Sequence, residues 1–125
     1  MSAVDVVVIW VDEVGCSHFA DRTMELLDRD FAPPAPPLAT SEPIPAADGV
    51  FFSMAPGWFG DWHPTPCRQY FVQTTGMLEV TVGDGETRRL TPGSVVFVED
   101  TTGSGHTTRV VSDEPVCGVF LQLPN

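Results

Sequence analysis

Imidazole is the side chain best suited to moving protons near neutral pH, and this chain has three of them: His18, His63 and His106. His63 lies in a stretch with a glycine at each end, Gly57 to Gly76, and Gln69 follows it by six positions. His106 comes well downstream, beyond a hairpin signal at Gly83-Asp84-Gly85. Two strands that bring His63 and His106 to one cavity would open two kinds of chemistry. The imidazoles can work as a general acid and a general base. Alternatively, two neutral imidazoles and the amide oxygen of Gln69 can bind a divalent metal on one face, with positions open to water or substrate. Zinc, iron, nickel and manganese are all candidates. An amide carries no charge, so such a site binds metal more weakly than one with a carboxylate.

Other residues fall into place around these three. Trp58, Phe59 and Trp62 crowd His63 and either line an apolar or aromatic substrate pocket or belong to the core. Phe52, Met54, Phe71 and Phe120 are cavity wall or core. Gln73 and Thr108 share strand faces with Gln69 and His106, which places them to orient a ligand. Cys67 shares strand parity with His63 and Gln69. A buried, inert thiol is expected there rather than a nucleophile or soft ligand. Cys16 and His18 are a pair of metal-ligand types, but nothing adjacent supplies more ligands, so an exposed turn histidine is expected at 18.

The elements that must position these groups are strands. Valine dominates the apolar residues, and glycine and proline are frequent, which favours strands and turns over helices. Asp5 to Val11 reads as a first strand, covered on both faces. Thr23 to Leu27 reads as a short strand. Residues 31–45 contain six prolines, which rules out a helix or central strand there. Phe31 and Leu38 are apolar anchors by which this arm packs on the body or reaches a second subunit. Strands follow at Val50 to Met54, Gln69 to Gln73, Met77 to Val82, Glu86 to Leu90, Ser94 to Glu99, His106 to Val111 and Val116 to Leu123. Short strands with Gly/Pro turns at this spacing mean a sandwich or barrel, and a barrel leaves a ligand-sized cavity.

Composition narrows the partners. At 125 residues the chain makes one domain, residues 1–125, with a real core. The net charge is −11 and there is no lysine, so nucleic acids and anionic membrane surfaces are disfavoured. The run Val6 to Val11 is too short to span a bilayer, and the acidic residues around it do not fit a signal peptide. Three cysteines with no CxxC spacing suit a reducing, cytoplasmic setting.

The central stretch resembles the first cupin motif: Gly, five residues, His, one residue, His, three or four residues, Glu, six residues, Gly. Gly57, His63, Gln69 and Gly76 stand at those positions, with Thr65 in place of the second histidine and Gln69 in place of the glutamate. Pro92-Gly93 and the strand to Glu99 resemble the opening of the second motif, and His106 resembles its histidine. The loop Asp100 to Gly105 is longer than usual.

The resemblance covers residues 50–123 and is to small bacterial cupins with no assigned reaction. It implies an all-β double-stranded β-helix, a jelly-roll barrel, with residues 1–49 as extra N-terminal strands and the Pro-rich arm. It also implies a metal site of two histidines and a glutamate from the first motif plus a histidine from the second, and a homodimer.

The resulting expectation is a small biosynthetic enzyme acting on an apolar, aromatic or polyketide-like metabolite. The reaction would be a non-redox isomerisation, cyclisation or dehydration with no nucleotide cofactor. It would run through metal Lewis-acid or histidine acid/base catalysis by His63, His106 and Gln69. An Fe(II)-type dioxygenase and a non-catalytic binding cupin are the alternatives.

Overall fold

Side chains that alternate apolar and polar at period two, broken by glycine and proline, bury one face of a sheet and turn often. The computed structural model describes residues 2–125, with eleven strands and no helix among them. A long hairpin of β1 (Ser2–Val11) and β2 (Ser17–Arg29) opens the chain, and β3 (Leu38–Thr40) pairs with the end of β2. There follow β4 (Asp48–Met54), β5 (Phe59–His63), β6 (Gln69–Gln73), β7 (Leu78–Thr81) and β8 (Thr87–Leu90). The chain ends with β9 (Val95–Val98), β10 (His106–Val110) and β11 (Val116–Gln122).

Two sheets result, one in the order β3-β2-β1-β9-β6-β11-β4 and one in the order β5-β10-β7-β8. β1 joins β9 in parallel and extends the larger sheet with the N-terminal hairpin. This is the expected all-β jelly roll with extra N-terminal strands.

Alternation divides the apolar residues between two compartments. Ile9, Phe71, Leu78, Val80, Val96 and Val98 point inward, between the sheets. Val6, Val8, Tyr70 and Phe97 take the opposite parity and form a second cluster on the outer face of the larger sheet. β1 is therefore covered on both faces, as its unbroken valine run requires.

Two local expectations need correction. Thr23 to Leu27 is not a separate short strand but part of β2, which pairs with β1 from Ser17 to Leu26 and with β3 from Leu27 to Arg29. Phe31 and Leu38 do not anchor the Pro-rich arm, since both are exposed. The arm is held by Ile44, which packs on the outer cluster, and by β3 at the sheet edge. The six prolines all lie outside β3, in the irregular segments before and after it, where no ladder bond needs their N–H.

Candidate functional site

His63 closes β5 and His106 opens β10, and the two residues are direct cross-strand partners. One glycine makes this possible. Gly105 has φ +75°, and a Cβ there would collide with the backbone carbonyl of His63. The loop from β9 closes onto β5 only because residue 105 has no side chain. The imidazole rings come to lie 4.7 Å apart between centroids, inclined at 55°.

Each ring is held from behind. His106 Nδ1–H donates to Asp100 Oδ2 at 2.6 Å, and Asp100 is wholly buried. His63 Nδ1–H donates to the carbonyl oxygen of Asp61 at 2.6 Å. A carbonyl and a carboxylate only accept, so both Nδ1 atoms carry the proton and both Nε2 atoms are left free. The second oxygen of Asp100 is buried without a hydrogen-bond partner. A buried carboxylate bonded mainly to an imidazole sets that ring's tautomer and balances positive charge forming on it.

The barrel interior is a cavity of about 390 Å³. Its walls are apolar, with Ile9, Phe71, Leu78, Val80, Val96 and Phe120 among them, and Val50, Met54 and Trp58 also line it. Its polar lining is His63, His106, Thr65, Gln69, Thr108 and Gln122. Trp58 lies across Gly60 beside His63: a Cβ on Gly60 would sit 2.8 Å from the indole and 3.1 Å from His63 Cε1. The polar residues are cross-linked. Gln69 Nε2 donates to Thr65 Oγ1 at 3.1 Å, Thr65 Oγ1 donates to the Cys67 carbonyl at 2.8 Å, and Gln122 Nε2 donates to Gln69 Oε1 at 3.1 Å.

Of the residues singled out from sequence, His63, Gln69, His106, Met54, Trp58, Phe71, Thr108 and Phe120 line this one cavity. Four others do not, and of these Phe59 is exposed with the Arg109 guanidinium over its ring. Trp62 alternates with His63 along β5, faces away and is 48% exposed. Phe52 packs behind the wall, with its ring 5.2 Å from Phe71 and 4.7 Å from Phe120. Gln73 spends its amide donor on the carbonyls of Gly76 and Leu90, at 2.8 and 2.9 Å, and ties a turn to a strand end. Cys67 is half-buried, its Sγ 3.8 Å from Gln69 Oε1.

His18 also differs from expectation. It is not a free turn histidine but is bonded through both ring nitrogens, to Asp12 and Asp84. Asp100 is the residue that sequence reasoning missed. The available signal was an acidic residue in a polar loop leading into a strand histidine. Gln122 carried no such signal, since only the pairing of β11 with β6 brings it to Gln69.

A family profile described as "Cupin domain" matches residues 50–121. No curated protein matches the chain. Similar solved structures include a conserved protein of unknown function, SPY1581, from Streptococcus pyogenes. It is 20% identical at a TM-score of 0.44, over 62% of this chain and 64% of that one, so the chain spans less than two thirds of that protein.

Proposed function

The chain belongs to the cupin family, and from that premise we propose that it is a small-molecule enzyme in which His63 and His106 transfer protons on an apolar, aromatic or polyketide-like metabolite. The reaction class is isomerisation, cyclisation or dehydration without a redox cofactor. The observation that carries this reading is the pair of facing imidazoles, one backed by the buried Asp100, in an apolar cavity.

His106 is the general base: Asp100 fixes its tautomer and stabilises the imidazolium that forms when Nε2 takes a proton. His63, whose Nε2 is also unprotonated at rest, takes that proton over from His106 Nε2 and returns it to a second position on the same substrate, so both rings end as they began. Thr108 and the Gln69–Gln122 pair offer hydrogen bonds to a substrate oxygen, and the apolar walls exclude water.

Cupins commonly hold a divalent metal, and the matching residues here are His63, Gln69 and His106. They do not fit the full set. Both amide atoms of Gln69 are engaged by Thr65 and Gln122, Thr65 stands in place of the second motif histidine, and no carboxylate among the described residues lines the cavity beside the two Nε2 atoms. Two imidazoles are half of the family's donors. The same lack of a facing carboxylate or third imidazole ranks an Fe(II)-type dioxygenase below proton transfer.

The test is hydrogen exchange. Apolar ketones and cyclic β-dicarbonyl compounds are incubated with the protein in D2O, with and without oxygen. The expected result is deuterium uptake next to the carbonyl, unaffected by oxygen and lost in His106→Ala. Binding without exchange would establish a carrier instead, and oxygen-dependent turnover an oxygenase; either result overturns the reading. A cytoplasmic setting and a homodimer belong to the same proposal. β3, at the edge of the larger sheet, with exposed Leu27, Phe31 and Leu38 around it, supports a subunit contact there.

A further inference from the structure

Away from the barrel cavity, the β1–β2 turn and the β7–β8 turn bring four ligand-type side chains together. Asp12 Oδ1 accepts the backbone N–H groups of Val14 and Cys16, at 3.0 and 2.9 Å, which leaves Oδ2 facing His18 Nε2 at 2.7 Å. The ligand atoms of Asp12, Cys16 and His18 all lie within 4.8 Å of one another, and all three residues are half-buried. Asp84, from the other turn, accepts from His18 Nδ1 at 2.8 Å, and its own Oδ1 is fixed by the Glu86 N–H at 2.8 Å. The indole of Trp10 stacks on the imidazole at 4.7 Å and fixes its plane.

These features are those of a metal centre with its supporting shell. Metal-bound histidine generally gives its other ring N–H to a carboxylate, which orients the ring and raises its basicity. Asp84 stands where that carboxylate belongs. Asp12 has one oxygen pinned by backbone and one presented. Cys16 Sγ lies against Gly83, where a Cβ would come within 3.1 Å of the sulfur, so glycine leaves the thiol room.

We infer that Asp12 Oδ2, Cys16 Sγ and His18 Nε2 form a binding site for a borderline divalent cation, zinc or cobalt in type, with Asp84 as the orienting carboxylate and a fourth position open to water. Thiolate and imidazole select such a cation over magnesium or calcium. Binding replaces two protons, one from the Cys16 thiol and one from His18 Nε2, and the thiolate and the Asp12 carboxylate together balance the 2+ charge.

The site reaches the barrel through Ser17 and through the close approach of Gly15 to Gly103. Ser17 Oγ donates to the Gly105 carbonyl at 2.7 Å and accepts from the Gly83 N–H at 2.7 Å. The cation therefore braces the two turns against the loop that delivers His106. The inference does not depend on what the barrel cavity does.

The experiment is cobalt titration of the full chain, followed by thiolate-to-cobalt charge-transfer absorption. One equivalent is expected to bind, with the band lost in Cys16→Ser and kept in Cys67→Ser, in Cys117→Ser and in the double variant His63→Ala/His106→Ala. Asp84→Asn should weaken binding by about 10- to 100-fold, as loss of an orienting carboxylate does. A second measurement needs no variant: zinc should protect Cys16 of the unaltered protein from alkylation while Cys67 and Cys117 still react. Absence of the band in the unaltered protein, its survival in Cys16→Ser, or equal reactivity of all three thiols with and without zinc would each overturn the site.

Discussion

Asp100 and His106 divide labour in a way that residue-level substitution can separate. Asp100→Asn keeps the shape but lets the amide present a donor to Nδ1, which favours the wrong tautomer. Proton exchange should fall by roughly 10²-fold or more, within the range a positioned acid or base contributes. The fold should persist, as judged by an unchanged far-ultraviolet dichroism spectrum. Equal exchange in the variant and the parent would remove Asp100 from the reaction.

Cys117 offers a second residue-scale prediction. The hydroxyls of Ser53 and Thr75 hold its thiol below the usual range. Its alkylation by iodoacetamide should therefore reach half-maximal rate at a lower pH than that of a simple thiol peptide. Ser53→Ala should move that midpoint up, and no movement would show that the serine hydroxyl does nothing for the thiolate.

At the scale of elements, two turns with left-handed glycines separate strain from collision. Gly93 and Gly105 have φ of +92° and +75°, yet a Cβ at Gly93 meets nothing while one at Gly105 strikes the His63 carbonyl. Gly93→Ala should cost about 1 kcal/mol, the strain of a non-glycine residue in that region. Gly105→Ala should cost more than that, because β5 and the loop must part, and it should abolish exchange by separating the imidazoles. Urea unfolding of both variants checks the ordering, and equal costs would show that the close approach does not hold the site together. Trp58 belongs to the same scale. Trp58→Ala removes the indole from the cavity lining, so the variant should accept bulkier ligands and release small ones faster. Stopped-flow dissociation measures this.

For the whole molecule, the inward cluster is also the cavity wall, so stability and binding share residues. Phe71→Ala should destabilise by about 3–5 kcal/mol, the usual cost of removing a buried aromatic ring. The proposed dimer is tested at the opposite side of the larger sheet. Phe31 and Leu38 are exposed beside the edge strand β3, and an uncovered edge of this kind invites pairing with another chain. Sedimentation equilibrium should give a dimer that Phe31→Asp and Leu38→Asp dissociate, whereas a monomer in the parent protein would dismiss this interface.

Periodicity and turn residues are local properties, and they were enough for most of the strands and for a sandwich or barrel, though not for β3 or β5; the jelly roll came from the cupin resemblance of Gly57, His63, Gln69 and Gly76. Period two also separated the inward from the outward residues of β6 and β7. Alternation along β5 already turns Trp62 away from His63. What period two does not show is how a buried amide is spent: Gln73 keeps the parity of Gln69 but gives its donor to turn and strand-end carbonyls, because a side chain's partners depend on segments distant in sequence. Asp100 behind His106, Gln122 on Gln69, and Asp84 on His18 are all contacts between segments that only folding juxtaposes. A residue's type can suggest what it is able to do, but its partner is chosen by the closing of the two sheets, which no local pattern encodes.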